Sequence, residues 1–222
     1  MTPDPAYEYR DISPPISEAT AVWPGDVPFT RRVQLAIANG ANIDLSALNS
    51  TVHIGAHADA PSHYISGGAA IDAVPVDAYI GPCFVTTCTR RPLILPEDAA
   101  SAIASGTRRV LFRTLSQPDW KTFPEDFVAF APETIATLAG AGVRLVGIDT
   151  PSVDPFESKT LLAHQELAKA GMRNLEGLDL ARVEDGEWEL IAIPLRLVGF
   201  DASPVRAILR RPTKVDRSRA KV

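Results

Sequence analysis

Residues 108–114 read RRVLFRT, residues 132–142 read PETIATLAGAG, and residues 144–150 read RLVGIDT. The first and third stretches are short apolar runs, which are typical of buried strands. The second has a proline near its first position and ends in glycine, which predicts a short helix. Strand, helix and strand in succession indicate an α/β architecture.

The same pattern extends outward along the chain. Helices are predicted for PEDAASAIASG (96–106) and SKTLLAHQELAKAG (158–171), and both of these runs end in glycine. Strands are predicted for five further runs: 31–38, 43–54, 81–88, 188–199 and 204–211. We therefore predict a single α/β domain, residues 1–209, with a central mixed β-sheet flanked by helices. A basic tail, residues 210–222, follows it and is expected to be flexible.

The composition fits a globular domain. Of the 222 residues, 45% are hydrophobic and 22% are charged, and the net charge of -5 gives no reason to expect a nucleic-acid partner. The start, MTPDPAYEYRD, lacks the basic and apolar regions of a signal peptide. No apolar run reaches the ~18 residues of a membrane span, so we expect a cytoplasmic protein with no membrane partner. Cys83 and Cys88 would lie on opposite faces of a strand and are expected to be buried thiols.

A cluster of metal-ligand side chains lies in TVHIGAHADAPSHY, residues 51–64. Three of the four histidines of the chain, His53, His57 and His63, occur here with Asp59, in the spacing H-x3-H-x-D-x3-H. A glycine and a proline within the stretch argue against a helix. In extended chain, positions 53, 57 and 59 point to one side. Two imidazoles and a carboxylate suit Zn²⁺, with Mn²⁺ as the alternative.

Other interpretations of this cluster are a structural polar loop and a metal-free acid–base site. A serine triad is not favoured, because the chain contains no G-x-S-x-G motif. A metal with three protein ligands keeps one position for water, whose pKa falls to about 7. His63, beyond a proline bend, suits proton transfer or serves as a further ligand. His164 has mostly apolar neighbours on its predicted helix, which by itself favours a core residue.

The segment VHIGAHADAPSHY resembles the H-x-G-T-H-x-D-A-P-x-H signature of the cyclase-like metal-dependent hydrolases. The resemblance extends to VWPGD (22–26), VGIDTPSVDP (146–155), the helix with His164, and NLEGLDL (174–180), and so covers nearly the whole chain. Within the family it is strongest to the bacterial kynurenine formamidases. Ala56 stands where the family usually has Thr, so hydrogen bonding around the site is expected to differ.

The resemblance implies two metal ions in each chain, most often zinc. The implied ligands are shared between the two ions: His53, His57 and Asp59 for the first, and Asp59, His164 and Glu176 for the second. Asp59 would bridge the ions, together with Glu176. His63 would be the proton donor or acceptor, and Trp23 would pack against the aromatic ring of the substrate.

The implied reaction is hydrolysis of N-formyl-L-kynurenine to L-kynurenine and formate, with metal-bound hydroxide as the nucleophile. The alternatives are an isatin-hydrolase-like or other amide hydrolase of the family, and a non-catalytic metal-binding protein. The resemblance also implies a homodimer with active sites near the interface, and Trp23 would reach across it in one hypothesis. Four residues are candidates for binding the amino-acid end of the substrate: Ser62, Tyr64, Arg113 and Thr150.

Overall fold

The computed structural model describes residues 6–89, 91–117 and 119–213. These ranges contain thirteen β-strands: β1 Tyr7–Asp11, β2 Thr30–Leu35, β3 Leu45–Asn49, β4 His57–Asp59, β5 Ile80–Thr87, β6 Leu93–Ile94, β7 Arg109–Arg113, β8 Ala129–Phe130, β9 Leu145–Ile148, β10 Arg173–Glu176, β11 Gly186–Ile191, β12 Ala202–Pro204 and β13 Ile208–Pro212. They also contain three α-helices: α1 Ala100–Ala104, α2 Pro132–Gly140 and α3 Leu162–Ala170.

Nine of the strands form one mixed sheet, in the order β1-β13-β11-β5-β7-β9-β10-β4-β12. The strands β5, β7, β9 and β10 are parallel and lie in the middle of the sheet. Antiparallel pairs extend the sheet on both sides. The predicted α/β domain with a central mixed sheet is therefore confirmed.

Alternate side chains of the central strands enter two separate cores. In β7, Val110 and Phe112 face the core that contains buried residues of all three helices, while Leu111 faces the other core. The second core is completed by loop and strand residues, so the helices cover only one face of the sheet. Cys83 and Cys88 lie in different cores, and both are buried as predicted.

The strands at the ends of the chain differ from the prediction. The run 43–54 is extended only over β3, which pairs with β2 in a hairpin outside the main sheet. Within the run 188–199, which the sequence predicts as one strand, strand β11 already ends at Ile191. Strands β1 and β10 have no counterpart in the prediction, because runs of four or five residues with charged members give no clear alternation.

Strand β13 runs past residue 209, the predicted end of the domain. Strand β13 continues to Pro212 and pairs with β1, with Arg210 opposite Tyr9 and Arg211 opposite Glu8. Arg211 Nε donates to Glu8 Oε2 over 2.7 Å, so cross-strand pairing keeps these basic residues in the sheet. The rest of the predicted tail, 214–222, lies outside the described residues.

The helices of the described part of the chain are short. Both α2 and α3 have nine residues, and none of the helices has the length and apolarity needed to cross a bilayer. The cytoplasmic location expected from the sequence stays a prediction.

Candidate metal centre and its cavity

The strands β4 and β10 bring the predicted ligands together near one edge of the sheet. They pair antiparallel with Glu176 opposite His57, so that these two side chains lie side by side. His57 Nε2 lies 3.4 Å from Glu176 Oε2. Asp59 lies two residues further along β4, on the same side as His57.

His53 reaches the centre by a turn and not along a strand. The chain between β3 and β4 contains Gly55 with a φ of +56°, which ends the extended run that the parity argument assumed. His53 Nδ1 nevertheless lies 3.1 Å from Asp59 Oδ1. His57 Nε2 lies 3.6 Å from the same oxygen. The first predicted group of ligands is therefore assembled.

The second predicted group is completed by helix α3. His164 Nε2 lies 3.3 Å from Asp59 Oδ2 and 3.4 Å from Glu176 Oε1. Asp59 thus faces the first group with one oxygen and the second with the other. Glu176 does the same, with Oε2 toward His57 and Oε1 toward His164. Both carboxylates have the arrangement that a bridging ligand requires.

Each of the three imidazoles has an acceptor behind it, on the side away from the two carboxylates. His57 Nδ1 lies 2.9 Å from the carbonyl oxygen of Gly55. His164 Nδ1 lies 2.7 Å from Asp154 Oδ2, and His53 Nε2 lies 3.0 Å from Asp201 Oδ2. Such an acceptor takes the ring N–H and leaves the lone pair of the other nitrogen directed at the centre, as in metal-bound histidines.

Two polar atoms at the centre have no hydrogen-bond partner although they are buried: His57 Nε2 and Asp59 Oδ1. Leaving buried polar groups unpaired costs about 1–3 kcal/mol each, and a cation held between them removes that cost. The donor set of imidazole nitrogens and carboxylate oxygens is one that Zn²⁺ and Mn²⁺ accept. The residues present therefore fit a metal ion.

The electrostatic field of the centre also favours positive charge. Burial lowers the pKa of His53, but the nearby carboxylates of Asp59 and Asp201 outweigh burial and raise that pKa to about 9. The pKa of His164 is raised well above its usual value by Asp154, Asp59 and Glu176, which outweigh its desolvation. Desolvation would raise the pKa of Asp59, yet His164 and His53 hold it well below its usual value.

Three residues that support the ligands were missed at the sequence level. Asp154 accepts from His164 and from the backbone N–H groups of Ala163 and His164. Asn174 Nδ2 donates to Asp59 Oδ2 over 2.6 Å and to Glu176 Oε1 over 3.1 Å. Asp154 and Asn174 lie within stretches that carry the family resemblance, which is a usable signal. Asp201, in GFDASP, had no such signal.

His63 lies at the edge of the centre, on the 3₁₀ turn Pro61–His63. Its ring centroid is 4.2 Å from that of His53 and 6.0 Å from that of His164. The ring is partly exposed, and it lines the cavity above the ligands. This placement suits a group that exchanges protons with a bound substrate.

A cavity of about 540 Å³ opens above the ligands. His57, His164 and Glu176 form part of its lining, and aromatic side chains form another part: Trp23, Trp120, Phe123 and Phe200. The Trp23 ring contacts Phe123 edge-on at 5.2 Å between centroids and lies 5.1 Å from Phe156. Trp23 therefore contributes to the cavity of its own chain.

The four candidates for the amino-acid end of the substrate are absent from the described lining of this cavity. Arg113, for example, is held by Thr87, Asp185 and the carbonyl oxygen of Val183. The polar lining contains other residues instead: Asp26, Ser50, Thr51, Gln117 and Asp201. Side-chain chemistry alone could not separate these residues from the four candidates.

The family model described as "Putative cyclase" matches residues 10–155, well over half of the chain. The chain therefore belongs to this family, as the resemblance in the sequence indicated. Its relatives include the kynurenine formamidases of Bordetella pertussis and Bordetella bronchiseptica. Each is 49% identical over 201 residues, which are 90% of this chain and 96% of the relative.

Solved structures agree with this assignment. A potential metal-dependent hydrolase with cyclase activity is 30% identical, with a TM-score of 0.78 over 92% of this chain and 98% of that chain. Isatin hydrolase A from Labrenzia aggregata has a TM-score of 0.80 at 24% identity, over 92% of this chain and 94% of that one. At that identity the likeness shows the shared fold alone.

Proposed function

We propose that the protein is a metal-dependent kynurenine formamidase, which hydrolyses N-formyl-L-kynurenine to L-kynurenine and formate. The observation that carries the proposal is the aromatic cavity that ends on a buried histidine–carboxylate centre. The cavity offers apolar surface for an aryl ring, and the centre offers the chemistry that amide hydrolysis needs. The two Bordetella formamidases, at 49% identity, support the same choice of substrate.

We propose further that the centre holds two divalent ions, with zinc as the first choice and manganese as the alternative. His53, His57 and Asp59 would hold one ion, and Asp59, His164 and Glu176 the other. The support is that Asp59 and Glu176 each direct their two oxygens at different histidines. A bound ion would supply a Lewis acid and lower the pKa of water to about 7.

The residues of the chain account for the remaining steps. Hydrolysis adds water to the formyl carbon and breaks the carbon–nitrogen bond, and the leaving arylamine nitrogen must gain a proton. His63 is the residue proposed to take the proton from water and return it to that nitrogen, because it lines the cavity beside the ligands. Trp23 is proposed to pack against the aryl ring, with support from Phe123 and Phe156.

The first experiment is an assay of the purified protein on N-formyl-L-kynurenine, combined with a metal count per chain. We expect turnover that a chelator abolishes and that zinc or manganese restores, with close to two ions per chain. Metal without turnover on this substrate, but with turnover on isatin, would move the protein to another amide hydrolase. Metal without turnover on any amide would make it a binding protein, and no metal with no chelator effect would overturn the proposal.

A variant tests the role of His63 separately. His63→Ala should keep the metal content and lower kcat by about 10²–10⁴-fold, the range of general acid–base catalysis. If the metal is lost instead, His63 is a ligand, which is the alternative that the sequence left open.

We also propose that two chains form a homodimer through the hairpin β2–β3. All six residues of β2 are exposed, and the hairpin presents exposed apolar side chains such as Val33 and Leu48, at 52% and 72% exposure. Four further apolar side chains are exposed in the segment 193–200: Ile193, Leu195, Val198 and Phe200. Exposed apolar side chains that cluster on one element are a feature of protein interfaces.

Light scattering tests the dimer. We expect the mass of two chains for the wild type and a shift toward one chain for Leu48→Arg. Val76→Arg is the matched control, because Val76 is also exposed, at 52%, but lies outside the hairpin. A wild type with the mass of one chain would contradict the proposal.

A further inference from the structure

Asp201 is a carboxylate of the cavity that is not among the proposed metal ligands and has no part yet in the proposed reaction. It lies immediately before β12, which pairs with β4 so that Ala202 is opposite Asp59. The carbonyl oxygen of Asp201 accepts from the N–H of Ala60 over 2.8 Å. The backbone of Asp201 is therefore tied to the strand that carries two of the proposed ligands.

The side chain of Asp201 contacts two histidines through one oxygen. Asp201 Oδ2 lies 3.4 Å from His63 Nδ1 and 3.0 Å from His53 Nε2. Since the carboxylate engages Nδ1 of His63, Nε2 is the nitrogen left to face a substrate. The carboxylate is about half exposed and lines the cavity, so it is close to the place where the substrate would react.

His63 needs such a partner because its own turn does not orient the ring. The turn Pro61–His63 places its backbone, with the His63 N–H donating to the carbonyl oxygen of Ala60 over 2.9 Å. Contact with the His53 ring limits how far the His63 ring can lie from it. This contact does not decide which nitrogen of His63 faces the cavity. A carboxylate that accepts Nδ1–H decides both the ring orientation and the tautomer, as aspartate does in Ser-His-Asp triads.

We propose that Asp201 is a positioning residue for proton transfer, which holds the Nδ1–H of His63 and presents the lone pair of Nε2 to the substrate. In the hydrolysis, Nε2 takes a proton from the attacking water and then gives it to the arylamine nitrogen as the carbon–nitrogen bond breaks. The hydroxyl group remains on the formyl carbon, and the formic acid that is released loses its proton to water and becomes formate. This inference rests on the proposed formamidase activity.

The kinetic test uses two aryl formamides that differ in how much their leaving nitrogen needs a proton. 4-Nitroaniline leaves readily, whereas 4-methoxyaniline requires proton transfer. With metal in excess, Asp201→Asn should lower kcat about 10–100-fold on 4-methoxyformanilide, with a much smaller loss on 4-nitroformanilide and with unchanged KM. In the His63→Ala background, Asp201→Asn should cause no further loss, because both changes remove the same function.

Asp72→Asn is the matched control. Asp72 accepts from the N–H of Gly199 over 3.0 Å, so it supports the same segment without contacting a histidine. It should behave as the wild type on both substrates. Equal losses on both substrates together with loss of metal would show that Asp201 acts only through His53, and this result would overturn the proposal.

The tautomer of His63 is a second readout, independent of turnover. Nitrogen-15 NMR of the metal-loaded protein should show the proton of His63 on Nδ1 in the wild type and a shift toward Nε2 in Asp201→Asn. If the wild type hydrolyses neither formanilide but the tautomer shifts, the formamidase proposal fails and the positioning role stands. An unchanged tautomer in Asp201→Asn overturns the positioning role, whatever the activity.

Discussion

At the scale of single residues, the centre depends on which atom each side chain turns toward its neighbours. Asp59 directs Oδ1 at His53 and Oδ2 at His164, and the unpaired Oδ1 is buried. The acceptors behind the rings, Asp154 among them, determine which histidine nitrogen faces the centre. The proposed ligands alone therefore do not define the site, since their orientation comes from residues outside the proposed ligand set.

Asp154→Asn tests this view. Asp154 accepts from His164 Nδ1 and from two backbone N–H groups, and an amide has only one acceptor oxygen with which to replace them. We expect metal affinity at the proposed second site to fall about 10–100-fold, as measured by competition with a chromogenic chelator. Asp185→Asn, a surface change away from the centre, serves as the control, and equal affinities for both variants would contradict the expectation.

Trp23→Leu tests the aryl-binding wall. Removing the indole takes away its contacts with Phe123 and Phe156 and the proposed contact with the substrate ring. A lost aromatic contact of about 0.5–1.5 kcal/mol corresponds to a rise in KM of roughly 2–12-fold with little change in kcat. A formamide with an alkyl group in place of the aryl ring should show no such rise. An equal effect on both substrates would mean that Trp23 supports the structure and not the ring.

At the scale of elements, the pairing of β4 with β10 decides whether the centre exists. Glu176 ends β10, and Gly177 follows it in the left-handed region, with a φ of +64°. A Cβ at Gly177 would meet the carbonyl oxygen of Gly55, in the turn that carries His53 toward the centre. A close backbone approach thus joins the two halves of the centre.

Gly177→Ala is therefore expected to destabilise the fold and the centre together. The left-handed conformation costs an alanine about 1–2 kcal/mol, and the clash adds about 1–3 kcal/mol. Gly171→Ala is the control, since Gly171 has a φ of +63° but nothing within 4 Å of an added Cβ. Denaturant unfolding should show a loss of about 2–5 kcal/mol for the first and about 1–2 kcal/mol for the second. Equal losses would mean that the Gly55 turn can move away freely.

At the scale of the whole molecule, the centre buries two carboxylates, Asp59 and Glu176, among histidine nitrogens that a cation can bind as well. Asp59, His164 and Glu176 are nearly completely buried, and the helix, the sheet and the connecting turns all contribute to enclosing them. Burying charges without partners opposes folding. Metal binding and folding are for this reason expected to be coupled.

Removal of metal should lower the melting temperature. Ligands that bind only the folded state stabilise it by about 2.7 kcal/mol at 100 times the dissociation constant. For a domain of this size that corresponds to a fall of roughly 5–11 °C per site on addition of a chelator, measured by calorimetry. His63→Ala should show the same fall as the wild type, because His63 is not a proposed ligand. A melting temperature that does not change when the chelator is added would contradict the coupling.

The sequence by itself determined the α/β class and the first group of ligands. Alternation of apolar runs with glycine-ended helical runs predicts the central strands and helices, because both signals are local. The ligands His53, His57 and Asp59 lie within seven residues, so their proximity follows from the chain itself. The family resemblance added His164 and Glu176, and the structure brings both against Asp59.

Only the tertiary structure decided how those groups meet. The extended-chain argument is right for His57 and Asp59 in β4, but His53 arrives through the turn at Gly55. His164 lies 105 residues from Asp59, and its contact depends on how α3 packs on the sheet. Asp201, which touches His53 and His63, is positioned by the pairing of β12 with β4. Contacts between residues so distant in sequence leave no local pattern, because strand pairing and helix packing create them.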